Sequence, residues 1–121
     1  STYSRTNMNI EIKKDTATAV LISVDGEIDM SSSPELRNAL LPYFEKDLAG
    51  IVVDLSGVSY MDSSGIATMI EGLQWSTNNE KKFILAGLTD KVMDVFVLTN
   101  LNNVFTFSED SESAFNDIGA A

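Results

Sequence analysis

The stretch that most constrains the fold of this chain runs from residue 51 to residue 73. It opens with an apolar run at residues 51–53, continued by Leu55 and Val58, which predicts a buried strand. Apolar residues then recur at the spacing of one helix face: Ile66, Met69, Ile70 and Leu73. A buried strand followed by a short loop and a helix is a building unit of α/β proteins.

Three polar residues, Asp62, Ser63 and Ser64, lie at the junction between this loop and the helix. Their side-chain oxygens can accept hydrogen bonds from the unpaired amides of the first helical turn. The junction thus presents two hydroxyls at the positive end of a helix dipole, which tolerates a phosphate well. Two interpretations stay open from the residues alone: a helix cap with no other role, or a phosphoacceptor whose added charge acts on a partner.

Strand patterns occur on both sides of this stretch. Alternating apolar residues predict a strand at residues 8–14, and a more apolar run predicts a second at residues 17–24 that ends at the turn-forming pair Asp25-Gly26. Short apolar runs at residues 83–86 and 104–107 predict two further strands. Because strands and helices alternate after the second strand, we expect a mixed, mainly parallel sheet with helices packed on it.

The predicted helices carry further signals. Ser33 as N-cap with the following proline starts the first helix, which Pro42 should bend or shorten. On the second helix, Trp75 is placed opposite the apolar stripe; it is either an exposed interface anchor or covered by a terminal segment. The third helix, capped at Thr89-Asp90, is apolar nearly all round and is followed by Asn100, which tolerates a left-handed helix stop.

Residues 53–66 resemble the signature of STAS domains, in the branch of bacterial anti-sigma factor antagonists. Further matches to the family occur in the right order at residues 26–29 with 33–36, at 82–86 and at 92–105. The resemblance implies an α/β fold of the STAS type: a mixed, mainly parallel sheet of about five strands packed with about four helices. It implies a single STAS domain at residues 8–118, preceded by a flexible tail at residues 1–7.

The resemblance also implies a switch. The serine directly after the Asp, Ser63, is the expected phosphorylation site, with Ser64 as second choice. The unphosphorylated protein would bind an anti-sigma factor that is also a serine/threonine kinase and so release a sigma factor; a PP2C-type phosphatase would reverse the modification. The partner-binding positions carried over from the family are Glu27, Asp29, Ser31, Asp62, Ser63, Ser64, Gly65 and Ile66.

One departure from the family pattern concerns the residues after the serines. Many members have Gly-Leu-Gly there, whereas this chain has Gly65-Ile66-Ala67. Alanine is a good helix former, so the helix should survive. A closely fitted partner backbone would meet the extra methyl group, which bears on the partner's identity.

A second interpretation is a cytoplasmic STAS subunit that docks on a membrane transporter, either a lipid-transfer ABC system or an anion transporter. An enzyme is disfavoured, because the chain has no His, no Cys and no Gly-x4-Gly-Lys phosphate loop. We therefore predict no catalytic residues and no cofactor. Asp25, Glu27 and Asp29 are spaced by two and either bind a metal ion or, as we expect, form a solvated loop face without one.

The charge balance and the apolar runs bear on which partners the chain binds and whether it enters a membrane. With 8 basic and 18 acidic residues, the net charge is −10, which disfavours binding to nucleic acid. The acidic surface either steers docking onto a basic partner or is simply a solvated surface. No apolar run is long enough to span a bilayer, and the first residues lack the apolar core of a signal peptide. We expect a cytoplasmic protein without direct membrane insertion, as a monomer or weak dimer.

Overall fold

The computed structural model describes residues 7–120 and shows one five-stranded sheet with four helices. The strands are β1 (Met8–Asp15), β2 (Ala19–Ile28), β3 (Gly50–Met61), β4 (Lys82–Ala86) and β5 (Thr106–Ser108). The helices are α1 (Ser33–Phe44), α2 (Ser63–Asn79), α3 (Asp90–Leu98) and α4 (Ser111–Ala120). The strand order is β1-β2-β3-β4-β5, with β1 antiparallel to β2 and every other pair parallel. The expected single-domain, mainly parallel α/β fold is confirmed.

The sheet separates two apolar layers. On one face, alternate residues of the central strands pack with α1, α2 and α3 around fully buried side chains such as Leu36, Met69 and Phe96. On the other face, a smaller cluster that includes Leu21 and Val52 packs under α4. Because both faces are covered, the central strands are apolar on both sides, which explains why their sequences do not alternate.

The parallel crossovers fix where the helices begin. Each of α1, α2 and α3 connects two neighbouring parallel strands, so each returns antiparallel to the sheet. Their N-termini therefore lie at the carboxyl end of the strands, and their C-termini lie at the opposite end. Ser33, Ser63 and Asp90 begin helices at the same end of the molecule, whereas Leu98 ends α3 at the far end.

The strands β2 and β3 are longer than the sequence pattern predicts. β2 does not end at Asp25-Gly26 but continues to Ile28, because Gly26 adopts φ +100° and lets the strand bend and stay paired. A Cβ on Gly26 would lie 2.0 Å from the backbone oxygen of Asn7, so a larger residue does not fit there. The expected loop after residue 58 is likewise strand, since Glu27 pairs with Tyr60.

The N-terminal tail and the first helix also differ in detail from expectation. Residues 1–6 of the predicted tail lie outside the described residues, but Asn7 is tied to the sheet through the amide of Glu27, 2.8 Å from its carbonyl oxygen. The N-cap of α1 is Ser32 rather than Ser33, and its hydroxyl does not cap the helix. Pro42 lies in the last turn, and the helix ends two residues later.

Trp75 is buried, which excludes the first of the two alternatives, an exposed interface anchor. It is only 8% exposed and stacks on Phe44 of α1, with ring centroids 5.5 Å apart. The covering element is thus α1 and not a terminal segment. A second face of α2, including Thr68 and Gly72, is buried as well. The single apolar stripe in the sequence underestimates how much of α2 is buried. The helix has two buried faces because it packs both on the sheet and on a neighbouring helix.

Helix α3 is only partly covered. Thr89 caps it by accepting from the amide of Val92, and Asn100 adopts φ 60°, as its type predicts. Its inner face is buried, but Val97 and Leu98 at its C-terminal end are 46% and 81% exposed. The apolar surface that the sequence shows around this helix therefore reaches solvent at the far end of the molecule.

Gly72 gives a direct test of the packing between α2 and β4. A Cβ at this position would lie 2.2 Å from the ring of the buried Phe83. We predict that Gly72→Ala lowers the free energy of unfolding in urea by about 1–3 kcal/mol, the usual cost of overpacking. Gly119→Ala is the matched control, because a Cβ on Gly119 meets nothing within 4 Å. Equal stability of the two variants would contradict this packing.

Candidate functional site

The N-terminus of α2 is capped by Asp62. Its carboxylate Oδ1 accepts from the Ser64 amide at 2.9 Å and from the Ser64 hydroxyl at 2.6 Å. Its backbone oxygen accepts from the amides of Gly65 and Ile66 at 3.1 and 3.2 Å. The expectation that a side-chain oxygen at this junction accepts from a first-turn amide is confirmed for Asp62 and Ser64, while the backbone oxygen of Asp62 accepts from the next two amides.

The two serines at this junction are in different environments. Ser63 is exposed, and within residues 7–120 its hydroxyl makes no hydrogen bond. Ser64 is half-buried, donates its hydroxyl proton to Asp62, and lines a groove between α1 and α2. The hydroxyl of Ser63 is therefore the one presented to solvent at the positive end of a helix of 17 residues.

A tightly bonded turn at residues 29–32, which we call the Asp29 turn, follows β2. The Asp29 carboxylate accepts from the Ser31 hydroxyl at 2.7 Å, from the Ser31 amide at 2.9 Å and from the Ser32 amide at 3.2 Å. These hydrogen bonds hold the pKa of Asp29 below its usual value, the Ser31 hydroxyl contributing most. Ser32 is buried, and its hydroxyl donates to the backbone oxygen of Glu27 at 2.8 Å.

The Asp29 turn and the start of α2 are joined at the ends of β2 and β3. The backbone oxygen of Ile28 accepts from the Asp62 amide at 3.1 Å. Gly65 lies against Ile28 and Met61: a Cβ there would come within 2.8 Å of the first side chain and 2.6 Å of the second. A glycine is required for this close approach. Residues 27–32 and 62–66, far apart in sequence, thus form one surface.

The predicted partner-binding residues divide into two groups on this surface. Ser31 and Ser63 are exposed, and Glu27, Asp29, Asp62 and Ser64 are partly exposed. Gly65 and Ile66 are buried, with Ile66 only 5% exposed, so they position the helix rather than offer side chains to a partner. Sequence reasoning missed Ser32, which braces the turn, and Met30, which is 80% exposed on it. Nothing in the local pattern distinguishes either residue.

The acidic residues of this region do not converge. Within residues 7–120, no three acidic side chains lie close enough together to hold a metal ion. The irregular pairing at Gly26 interrupts the alternation on which a shared face for Asp25, Glu27 and Asp29 depended. Asp25 lies against Gly57, and the Asp29 carboxylate is occupied by its own turn. Chemically, the arrangement offers an exposed serine hydroxyl at a helix N-terminus beside a carboxylate-braced turn.

Comparison with known proteins identifies a domain family and curated relatives of this chain. The model of the STAS domain family matches residues 7–114. An anti-sigma-B factor antagonist of Listeria monocytogenes is 33% identical over 98 residues, which is 81% of this chain and 86% of the relative. The helices within residues 7–120 include none with the length and apolarity needed to cross a bilayer.

Solved structures share the fold. An anti-sigma factor antagonist from Mycobacterium paratuberculosis superposes with a TM-score of 0.81 at 22% identity, covering 93% of this chain and 94% of that one. SpoIIAA of Bacillus in its phosphorylated form gives 0.72 at 19% identity, covering 91% and 99%. Its unphosphorylated form gives 0.79 at the same identity, covering 93% and 98%.

The Asp29 turn predicts a pH dependence. Because the pKa of Asp29 is lowered in the folded protein, the turn's stabilisation is present above the carboxyl's ordinary pKa and is lost as pH falls through the folded value. We expect the Asp29 carboxyl carbon, followed by NMR, to titrate below its ordinary value. Ser31→Ala removes the largest cause and should raise this pKa. An identical Asp29 pKa in parent and variant would contradict the hydrogen-bond assignment.

Proposed function

The chain belongs to the STAS domain family, and we propose that it is an anti-sigma factor antagonist controlled by phosphorylation of Ser63. In this proposal the unphosphorylated form binds an anti-sigma factor that is also a serine/threonine kinase, and a sigma factor is released. The observation that carries it is the exposed hydroxyl of Ser63 at the start of α2, beside the Asp29 turn; this hydroxyl makes no hydrogen bond to any residue that the structure describes. The sequence identity to the Listeria antagonist supports the same class of partner.

The proposed switch is the phosphorylation of one side chain, which adds negative charge at that position. The kinase transfers the γ-phosphoryl group of ATP to Ser63 Oγ: the new P–O bond forms as the bond to ADP breaks, ADP leaves, and the hydroxyl proton passes to a base on the kinase. The product carries about −1.5 to −2 charges and three acceptor oxygens. A helix N-terminus stabilises such a group, so the antagonist itself need not refold. The partner, which had docked on a neutral hydroxyl, now meets a bulky anion. A PP2C-type phosphatase restores the hydroxyl by hydrolysis.

The geometry favours Ser63 over Ser64 as the acceptor. The Ser64 oxygen is 2.6 Å from the Asp62 carboxylate, so a phosphate there would meet a like charge at close range. Modification of Ser64 would also break the hydroxyl contact to the residue that caps the helix. Within residues 7–120, the Ser63 hydroxyl makes no hydrogen bond to Asp62 that a phosphate would break. The resemblance and the environment of the two side chains therefore point to the same residue.

The acidic surface suits the proposed partner. The chain carries a net charge of −10, and Glu27 and Asp29 lie on the proposed docking surface beside Ser63. Such a surface steers a basic partner toward it and repels nucleic acid. Association with the kinase should therefore slow as ionic strength rises. The proposed place of action is the cytoplasm, where the sigma factor and ATP are found.

Substitution at Ser63 tests the proposal. We expect Ser63→Asp to raise the dissociation constant for the anti-sigma factor kinase by about tenfold or more, equivalent to ~1.4 kcal/mol. Ser63→Ala should bind like the parent. The measurement is calorimetric titration with each anti-sigma factor kinase encoded in the same genome.

Asn103→Asp is the matched control for net charge. It adds the same charge at an exposed position in the loop after α3, at the far end of the molecule, and should leave binding unchanged. Binding of Ser63→Asp as tight as that of Asn103→Asp would overturn the phosphate switch.

A second candidate function is a STAS subunit that docks on a membrane transporter. Trp75 no longer supports it, since that side chain is buried. The exposed apolar residues Val97, Leu98 and Val104 do favour a docking surface away from Ser63. Copurification from membranes with a transporter subunit, lost in Leu98→Asp and retained in Ser63→Asp, would support this function. Loss of the association in Ser63→Asp alone would contradict it.

A further inference from the structure

Met30 is an apolar side chain displayed on the proposed partner-binding surface. It is 80% exposed, whereas Met8, Met61 and Met69 are at most 6% exposed and Met93 is partly buried. It lies between Asp29 and Ser31, on the turn that packs beside the start of α2. Single exposed apolar residues are common on proteins, so exposure alone assigns no role. Met30 differs from such residues in its position on the proposed partner-binding surface.

The turn that carries Met30 does not need its side chain. Every hydrogen bond that shapes the Asp29 turn uses the side chains of Asp29, Ser31 and Ser32 or backbone atoms. An exposed thioether contributes almost nothing to the core, and a polar residue would meet the same backbone requirements. The fold therefore gives no account of an apolar residue here.

The turn also holds Met30 in place before any partner arrives. Ser32 donates to Glu27 and accepts from the Asp29 amide at 2.9 Å, so the turn is bonded on both sides of Met30. A side chain presented on a fixed backbone loses less conformational entropy on docking than one on a mobile loop. Methionine, unbranched and polarisable, adapts to an irregular apolar pocket.

We propose that Met30 is an apolar anchor that enters an apolar pocket on the anti-sigma factor. This inference rests on the proposed function and names one apolar contact within the proposed docking surface. The anti-sigma factor is the expected partner of Met30 because this residue lies on the same surface as Ser63. Glu27 and Asp29 lie on that surface too and give it a polar rim. An apolar centre within a polar rim is the usual anatomy of a protein interface.

Leu98 provides a matched control. It is 81% exposed, as Met30 is, but lies at the C-terminal end of α3, on the opposite end of the sheet. We expect Met30→Ala to weaken binding to the anti-sigma factor kinase by about tenfold or more in calorimetry. Met30→Leu keeps an apolar side chain of similar volume and should bind nearly as well as the parent. Leu98→Ala should bind like the parent.

The outcomes separate the anchor from the proposed function. If the parent binds none of the anti-sigma factor kinases of the same genome, the proposed function fails and the anchor with it. If the parent binds and Met30→Ala binds equally well, the anchor alone is overturned. Equal weakening by Met30→Ala and Leu98→Ala also overturns it, since the effect then does not belong to this surface.

Oxidation gives a second readout without a change of sequence. Hydrogen peroxide transfers one oxygen atom to the methionine sulfur, giving the polar sulfoxide and water. Met30 should react before the buried methionines, and peptide mass spectrometry measures this. The oxidised parent should then bind the kinase weakly, whereas Met30→Leu treated in the same way should keep its affinity. Retained binding by a parent fully oxidised at Met30 would contradict the anchor.

Discussion

The backbone hydrogen bond from Asp62 to Ile28, with Gly65 packed beneath it, is the contact on which the functional surface depends. It joins the ends of two neighbouring parallel strands at the point where one enters a turn and the other enters a helix. It adds to the pairing of Ile28 with Met61 at the ends of β2 and β3, directly before the Asp29 turn and the first turn of α2. With it, a carboxylate-braced turn and a helix N-terminus form one surface with fixed relative positions.

That construction explains how a charge can be added without disturbing the fold. Asp62 accepts from the amides of Ser64, Gly65 and Ile66, whereas the hydroxyl of Ser63 makes no hydrogen bond within residues 7–120. A phosphate at this place gains from the helix dipole and disrupts no existing contact. In the proposed switch, the change in free energy therefore falls on the partner. The residue proposed to be modified, Ser63, is separate from the residue that caps the helix, Asp62.

Several features that depend on residues close in sequence were predicted correctly, whereas features that depend on tertiary packing were not. The unit at residues 51–73, the Thr89 cap and the left-handed Asn100 depend on neighbours within a few residues, and these predictions were confirmed. The extension of β2 past Gly26 depends on pairing with distant residues, and the burial of Trp75 depends on Phe44 of another helix. The family resemblance ranked Ser63 before Ser64, but their different burial and the hydroxyl contact of Ser64 with Asp62 are visible only in the structure.

The most direct test of this account uses protein phosphorylated fully and only at Ser63. Its ¹⁵N–¹H NMR spectrum and its affinity for the anti-sigma factor kinase are compared with those of the unmodified protein. The account predicts shift changes confined to the start of α2 and the Asp29 turn, together with an affinity lower by about tenfold or more. Shift changes spread through the β-sheet core, or an affinity unaltered by the phosphate, would contradict it.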